Sequence, residues 1–170
     1  LVGYQLRFNP LIQFIKNYCF DKERLGKIYN CEIYHWEHVD SFHSYKSYKD
    51  SYTSKKKLGG GVVLTQIHEL DYLCWFFGLP VEVTTVMDKI SDLKINVDDI
   101  SESILKFSNQ SIAKIHLDFL QRPFYKSCKI IGSKGIVYWN SDENKIKLYN
   151  SKKKKWNNHT ILNNYKLSSN

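Results

Sequence analysis

"FFGLPVEVTTVMDKI", residues 76–90, is where the sequence changes character. Up to Phe77 the apolar residues recur at helical spacing; Gly78 and Pro80 stop that pattern, and beyond them the period becomes two. The change persists through "SESILKFSN" (101–109), "SIAKIHLDFL" (111–120), "KSCKIIGS" (126–133), "GIVYWN" (135–140) and "KIKLYN" (145–150), which read as successive strands. In the second of these, Ala113, Ile115, Leu117 and Phe119 fall on one face, and Lys114, His116 and Asp118 on the other. "GSKG" (132–135) and "NSDEN" (140–144) have hairpin-turn composition.

Upstream of the switch, Asn9 and Pro10 form an N-cap and first turn for a helix through "LIQFIKNYCF" (11–20), whose pattern Gly26 ends. "KIYNCEIYHWEHV" (27–39) is rich in β-branched and aromatic residues and reads as a strand. Residues 40–58 are polar and read as one long loop, and Gly59–Gly61 lead from it into a helix that runs to about Phe77. Helices followed by a run of short strands predict an α+β fold: a largely antiparallel open β-sheet with helices packed on one face. Residues 1–150 are expected to form one domain. Residues 151–170 are expected to form a basic, weakly patterned tail, extended or frayed over "NNHTILNNYKLSSN" (157–170).

The 170 residues, 42% hydrophobic and 15% aromatic, suffice for a real core. The longest apolar run is far shorter than the roughly 20 residues of a membrane span. The opening "LVGYQLRFNP" has no initiator methionine and no leader pattern, and reads as the middle of a longer protein. Cys19, Cys31, Cys74 and Cys128 are scattered without zinc-like spacing and are expected to be small buried hydrophobes. A net charge of +8 raises nucleic-acid binding. The positive runs, Lys55–Lys57 and Lys152–Lys155, are separate and lack the arginine–aromatic interleaving of a single-strand groove, so solvated charge is the better reading.

The glycine run in "LGGGVVLTQIHELDYL" (58–73) has neither G-x-G-x-x-G spacing nor a Walker lysine. A phosphate cradle at the helix start stays physically open, but close backbone approach to a ligand or a partner element explains contiguous glycines better. His68 would share a helical face with Leu64, Asp71, Tyr72 and Trp75. A zinc motif of the H-E-x-x-H type needs histidine at position 72, where Tyr72 stands, so no metal is expected. A lone histidine of this kind is either structural or a general acid/base, and the second role needs an orienting group such as Asp71 or one from elsewhere. His35, His38 and His43 flank Trp36; the first two, three apart on a strand, point to opposite faces and do not share a metal. Arg7 and Asn9 either hold a ligand or cap the first helix, and Arg122 before Pro123 is an exposed cation that could grip an anionic group.

"VGYQLRFNP" (2–10), "YKDSYTSKKKLGGGVVLTQIHELDYLCWFFG" (48–78), "IHLDFLQRP" (115–123) and "IIGSKGIVYWN" (130–140) together resemble the C-terminal domain of the glucose–fructose oxidoreductase/inositol dehydrogenase (Gfo/Idh/MocA) family. The resemblance runs in order from Val2 to Asn140. It implies a two-layer, dihydrodipicolinate-reductase-like domain that follows a Rossmann domain binding NAD or NADP, with the catalytic lysine motif in that absent half. It implies a cytoplasmic oxidoreductase acting on a sugar, sugar nucleotide or cyclitol, inactive as this fragment alone, and a homodimer or homotetramer built through the sheet face. His68 matches the histidine that exchanges the substrate hydroxyl proton in many members. Arg7, Asn9, Tyr48, Tyr52, Thr65 and Arg122 match positions at or near the substrate. Thr65 departs from the aspartate common there, and a threonine cannot act as a carboxylate base, which keeps a non-catalytic binding or assembly module as the alternative; nucleic-acid binding ranks below both.

Overall fold

The computed structural model describes residues 3–42, 47–143 and 145–160. Helix α1 spans Pro10–Phe20 and opens as its sequence predicts, with Asn9 Oδ1 accepting the Leu11 N–H at 2.8 Å and proline in the first turn. Leu11, Ile12, Ile15 and Cys19 form its buried stripe. Strand β1 follows at Ile28–Trp36.

The polar stretch after β1 is not one featureless loop. It folds into short 3-10 turns at Val39–Ser41, Tyr48–Asp50, Tyr52–Ser54 and Lys56–Leu58; His43 lies outside the described residues. The glycines then make their close approach to the protein's own backbone. A side chain at Gly60 would collide with the carbonyl oxygens of Tyr52 and Thr53, and Gly61, at φ 117°, donates its N–H to Thr53 O at 2.9 Å.

The expected single helix from residue 62 is two. Helix α2 covers Val62–Thr65, Gln66 leaves helical geometry at φ −96° and ψ 30°, and α3 covers Ile67–Phe77. The cause is tertiary: the buried Gln66 amide donates to Asp118 O at 3.1 Å, and the chain turns to let it. The break takes Leu64, which is exposed, off the face that carries His68.

Strands β2 (Glu82–Asp88), β3 (Ile100–Lys106), β4 (Ile112–Asp118), β5 (Tyr125–Gly132), β6 (Gly135–Asn140), β7 (Lys145–Asn150) and β8 (Lys155–Thr160) complete one sheet. Its order is β2-β3-β4-β1-β5-β6-β7-β8, antiparallel except where β1 runs parallel to β4. β8 is a paired edge strand drawn from the stretch expected as tail, because Asn157 and His159 sit opposite Leu148 and Ile146 and His159 stacks on Phe14 of α1. Residues 161–170 lie outside the described residues.

Alternation sorts the two faces. Ile33, Ala113, Ile115, Leu117, Cys128 and Ile130 point to the helices and are essentially fully buried beside Ile15, Leu73 and Phe76. Each isoleucine or leucine among them contributes about 2 kcal/mol of transfer free energy. Cys19, Cys31 and Cys128 are free thiols in this core, where burial pushes the Cys19 thiol well above its ordinary range. Among the described residues no helix covers the opposite face. This face presents Tyr34, Trp36, His116, Lys129 and Tyr138, and Trp36 stacks on Tyr125 at 4.4 Å.

Candidate functional site

The start of α3 gathers groups from three parts of the chain. A 3-10 turn at Gln5–Phe8 lies against it, and Gln5 Nε2 is 3.2 Å from His68 Nε2. Two residues on, Arg7 Nε and Nη2 donate to the two carboxylate oxygens of Asp71 at 2.9 and 2.6 Å. Asp71 is buried and Arg7 partly exposed, with its guanidinium near the rings of Tyr4 and Trp75. Asp71 therefore belongs to Arg7, and Gln5 is the polar group that meets the His68 ring.

His68 is half-buried. Its Nδ1 is buried without a hydrogen-bond partner, while Nε2 sits at the exposed contact with Gln5. Burial lowers its pKa below the ordinary 6.5, against the pull of neighbouring Glu69. The Gln5 amide nitrogen can only donate, so Nε2 holds the lone pair and the hydrogen of the neutral ring sits on the buried Nδ1; burial disfavours the charged ring and keeps it neutral. A neutral histidine with one reachable ring nitrogen can take a proton from a hydroxyl or return one to an alkoxide.

Behind His68 lies a buried charge network. Glu69 Oε2 is 3.2 Å from His35 Nδ1 and Glu69 Oε1 is 3.2 Å from Lys126 Nζ, while His35 Nε2 faces Glu37 Oε2 at 4.0 Å. Burial opposes ionisation of Glu69, but Lys126 and His35 outweigh it and hold the carboxyl down to about 2. Lys126 is absent from the sequence reading. The signal for it was parity: it shares the inward face of β5 with Cys128 and Ile130, where a lysine needs a partner.

The other expected site residues are placed as follows. Thr65 ends α2, three residues before His68, with its Oγ1 buried and unpartnered. The Asn9 side chain is engaged in capping α1. Tyr48 packs on the core and its hydroxyl accepts the Lys94 N–H at 3.3 Å, whereas the Tyr52 side chain is about half exposed on the turn that supports Gly60. Arg122, on the β4–β5 connection, pairs with Asp40 at 3.1 Å. Gln5, Arg7 and His68 thus cluster around α3; the contacts of Tyr48 and Arg122 are made elsewhere.

No dinucleotide phosphate cradle is built here. The Val62 N–H is taken by Asp98 O and the Val63 N–H by Asp98 Oδ2, and a carboxylate at that helix start repels a phosphate. Among the described residues no cluster of three or more His, Cys, Asp or Glu is arranged to hold a metal, and no helix is long and apolar enough to cross a membrane.

The sequence pattern of the GFO/IDH/MocA C-terminal domain matches residues 19–138. Among solved structures, the WlbA dehydrogenase from Bordetella pertussis, in complex with NADH and UDP-GlcNAcA, is 22% identical with a TM-score of 0.67, over 79% of this chain and 40% of that one. Levoglucosan dehydrogenase, in complex with NADH, is 14% identical with a TM-score of 0.79, over 95% and 46%. A putative oxidoreductase from Thermotoga maritima is 15% identical with a TM-score of 0.75, over 98% and 50%. The chain thus spans half or less of the length of the structures it resembles. No match was found among curated proteins.

Proposed function

The chain belongs to the GFO/IDH/MocA family, and from that premise we propose that it is the substrate-side domain of a nicotinamide-dependent oxidoreductase acting on a hydroxyl or carbonyl of a sugar, sugar nucleotide or cyclitol. The neighbours solved with NADH support a nicotinamide cofactor, and their UDP-GlcNAcA and levoglucosan dehydrogenase names support the sugar class. NAD or NADP would be held by a separate domain of the whole protein, since this chain's glycine run packs on its own backbone. When bound, the nicotinamide supplies the hydride chemistry.

The observation that carries the reading is His68: half-buried, biased to the neutral form, with Nε2 reachable and no carboxylate paired to its ring among the described residues. His68 accepts the hydroxyl proton at Nε2 in oxidation and returns it in reduction. Arg7 and Asp71 fix the 3-10 turn against α3, Thr65 and Tyr52 stand as further substrate contacts, and Arg122 would become one on leaving Asp40, with Asn9 and Tyr48 shaping the wall through the cap and core contacts they make. The helix-free sheet face is the surface for a homodimer or homotetramer in the cytoplasm.

The test is hydride transfer by the full-length enzyme with NAD and NADP across a sugar and sugar-nucleotide panel, beside His68→Ala. A loss on the order of 10²–10⁴-fold in the variant is expected; unchanged turnover removes His68 from the chemistry. Thr65 favours a second reading, a non-catalytic binding or assembly module, because no carboxylate stands at that position. Sugar binding by a full-length protein that never turns NAD(P) over would establish it.

A further inference from the structure

Lys126 is a cation at a core position. It occupies the helix-facing side of β5 in line with Cys128 and Ile130, and its side chain is 14% exposed. Its partner, Glu69, is the residue next to His68 in the first turn of α3. A buried ion pair contributes little net stability compared with an apolar pair of the same size. Its placement one residue from the proposed proton acceptor gives it a different use.

Among the described residues, the charged and titratable groups whose fields reach His68 are few. Glu69 and Asp71 come from α3, Lys126 from β5 and His35 from β1, while the contact from the N-terminal turn, Gln5, is neutral. Asp71 is neutralised by Arg7 through two hydrogen bonds. Glu69 is then the carboxylate whose charge would draw a proton onto His68, and Lys126 meets one of its oxygens while His35 meets the other. We infer that Lys126 is a positioning residue for the chemistry of His68: by neutralising Glu69 it keeps the adjacent imidazole free to accept a proton. This rests on the reading of His68 as proton acceptor. Burial of the ring acts in the same direction, so desolvation and counter-charge together offset the carboxylate.

The test is a titration of the histidine ring signals by heteronuclear NMR on the full chain, with His68→Gln assigning the resonance. Lys126→Met should raise the His68 midpoint by roughly one unit, because Glu69 then acts uncompensated. Lys126→Arg, which keeps the charge, should restore the wild-type midpoint. Glu69→Gln should lower it, and the double variant Glu69→Gln/Lys126→Met should return it toward wild type. An unchanged midpoint in Lys126→Met, with the other histidine signals in place, overturns the inference. Should that variant fail to fold, an unchanged midpoint in Glu69→Gln, or in the double variant one displaced as far as in that single, overturns it equally. Loss of the His68 role in the turnover assay would leave these shifts intact, so the two readings fail separately.

Discussion

Arg7 and Asp71, 64 residues apart, are joined by two parallel hydrogen bonds that tie the segment before α1 to the middle of α3. The carboxylate is buried and the guanidinium partly in water, so the two halves of the pair are not equivalent. Removing the arginine strands a buried charge, whereas removing the carboxylate returns an arginine to solvent. Arg7→Met should therefore lower the urea midpoint more than Asp71→Asn, and the double variant should lie closer to wild type than Arg7→Met alone. Equal losses from the two single variants would contradict this asymmetry.

Glu69 sets a pH limit on the fold. Its folded pKa of about 2 lies below the ordinary 4.5, so its contribution is fully present above 4.5 and is lost as pH falls toward 2. The contribution is on the order of 3 kcal/mol. Urea melts at pH 5 and pH 2.5 should show a steep loss for wild type and a flatter one for Glu69→Gln, which starts lower because Lys126 is left unpaired.

His116, on the helix-free face, behaves oppositely. Its hydrogen bond to Asp118, 2.7 Å away, raises its pKa despite burial, and Glu102 at 2.6 Å adds to this. A raised histidine stabilises the fold below 6.5 and loses that contribution as pH climbs through its folded value. Its NMR midpoint should lie above 6.5, and His116→Gln should remove stability at pH 6 while changing little at pH 9.

Thr65 separates structure from chemistry. Its hydroxyl is buried and unpartnered, so Thr65→Val should leave thermal stability unchanged or raise it, by less than about 1 kcal/mol. A fall in sugar turnover by the full-length enzyme without a fall in melting temperature would show that the hydroxyl serves substrate. Leu73→Ala supplies the contrast: this fully buried side chain should cost about 2–5 kcal/mol in the same melt.

Local chemistry made much of this architecture readable. The alternation in 111–120, the Asn9–Pro10 cap and the "GSKG" hairpin each follow from interactions within a few residues, and each is found where expected. Features that depend on distant partners were not readable. The kink at Gln66 exists because of Asp118 O, and the pairing of Lys126 with Glu69 brings together residues from a strand and a helix with no local trace of each other. His68 was visible as a candidate because it interrupts an apolar helix. Its contact with Gln5 was not, since the break before α3 decides which way the ring faces.

The parallel pairing of β1 with β4 has a consequence for synthesis. Ile33 in the middle of the sheet takes its neighbours from Ile115 and Cys128. At about 5–20 residues per second, β1 waits roughly 5–20 s after it leaves the ribosome before β5 can close over it. During that interval an apolar, β-prone strand has both edges open, so nascent chains stalled before residue 112 should be the aggregation-prone species and the natural clients of chaperones.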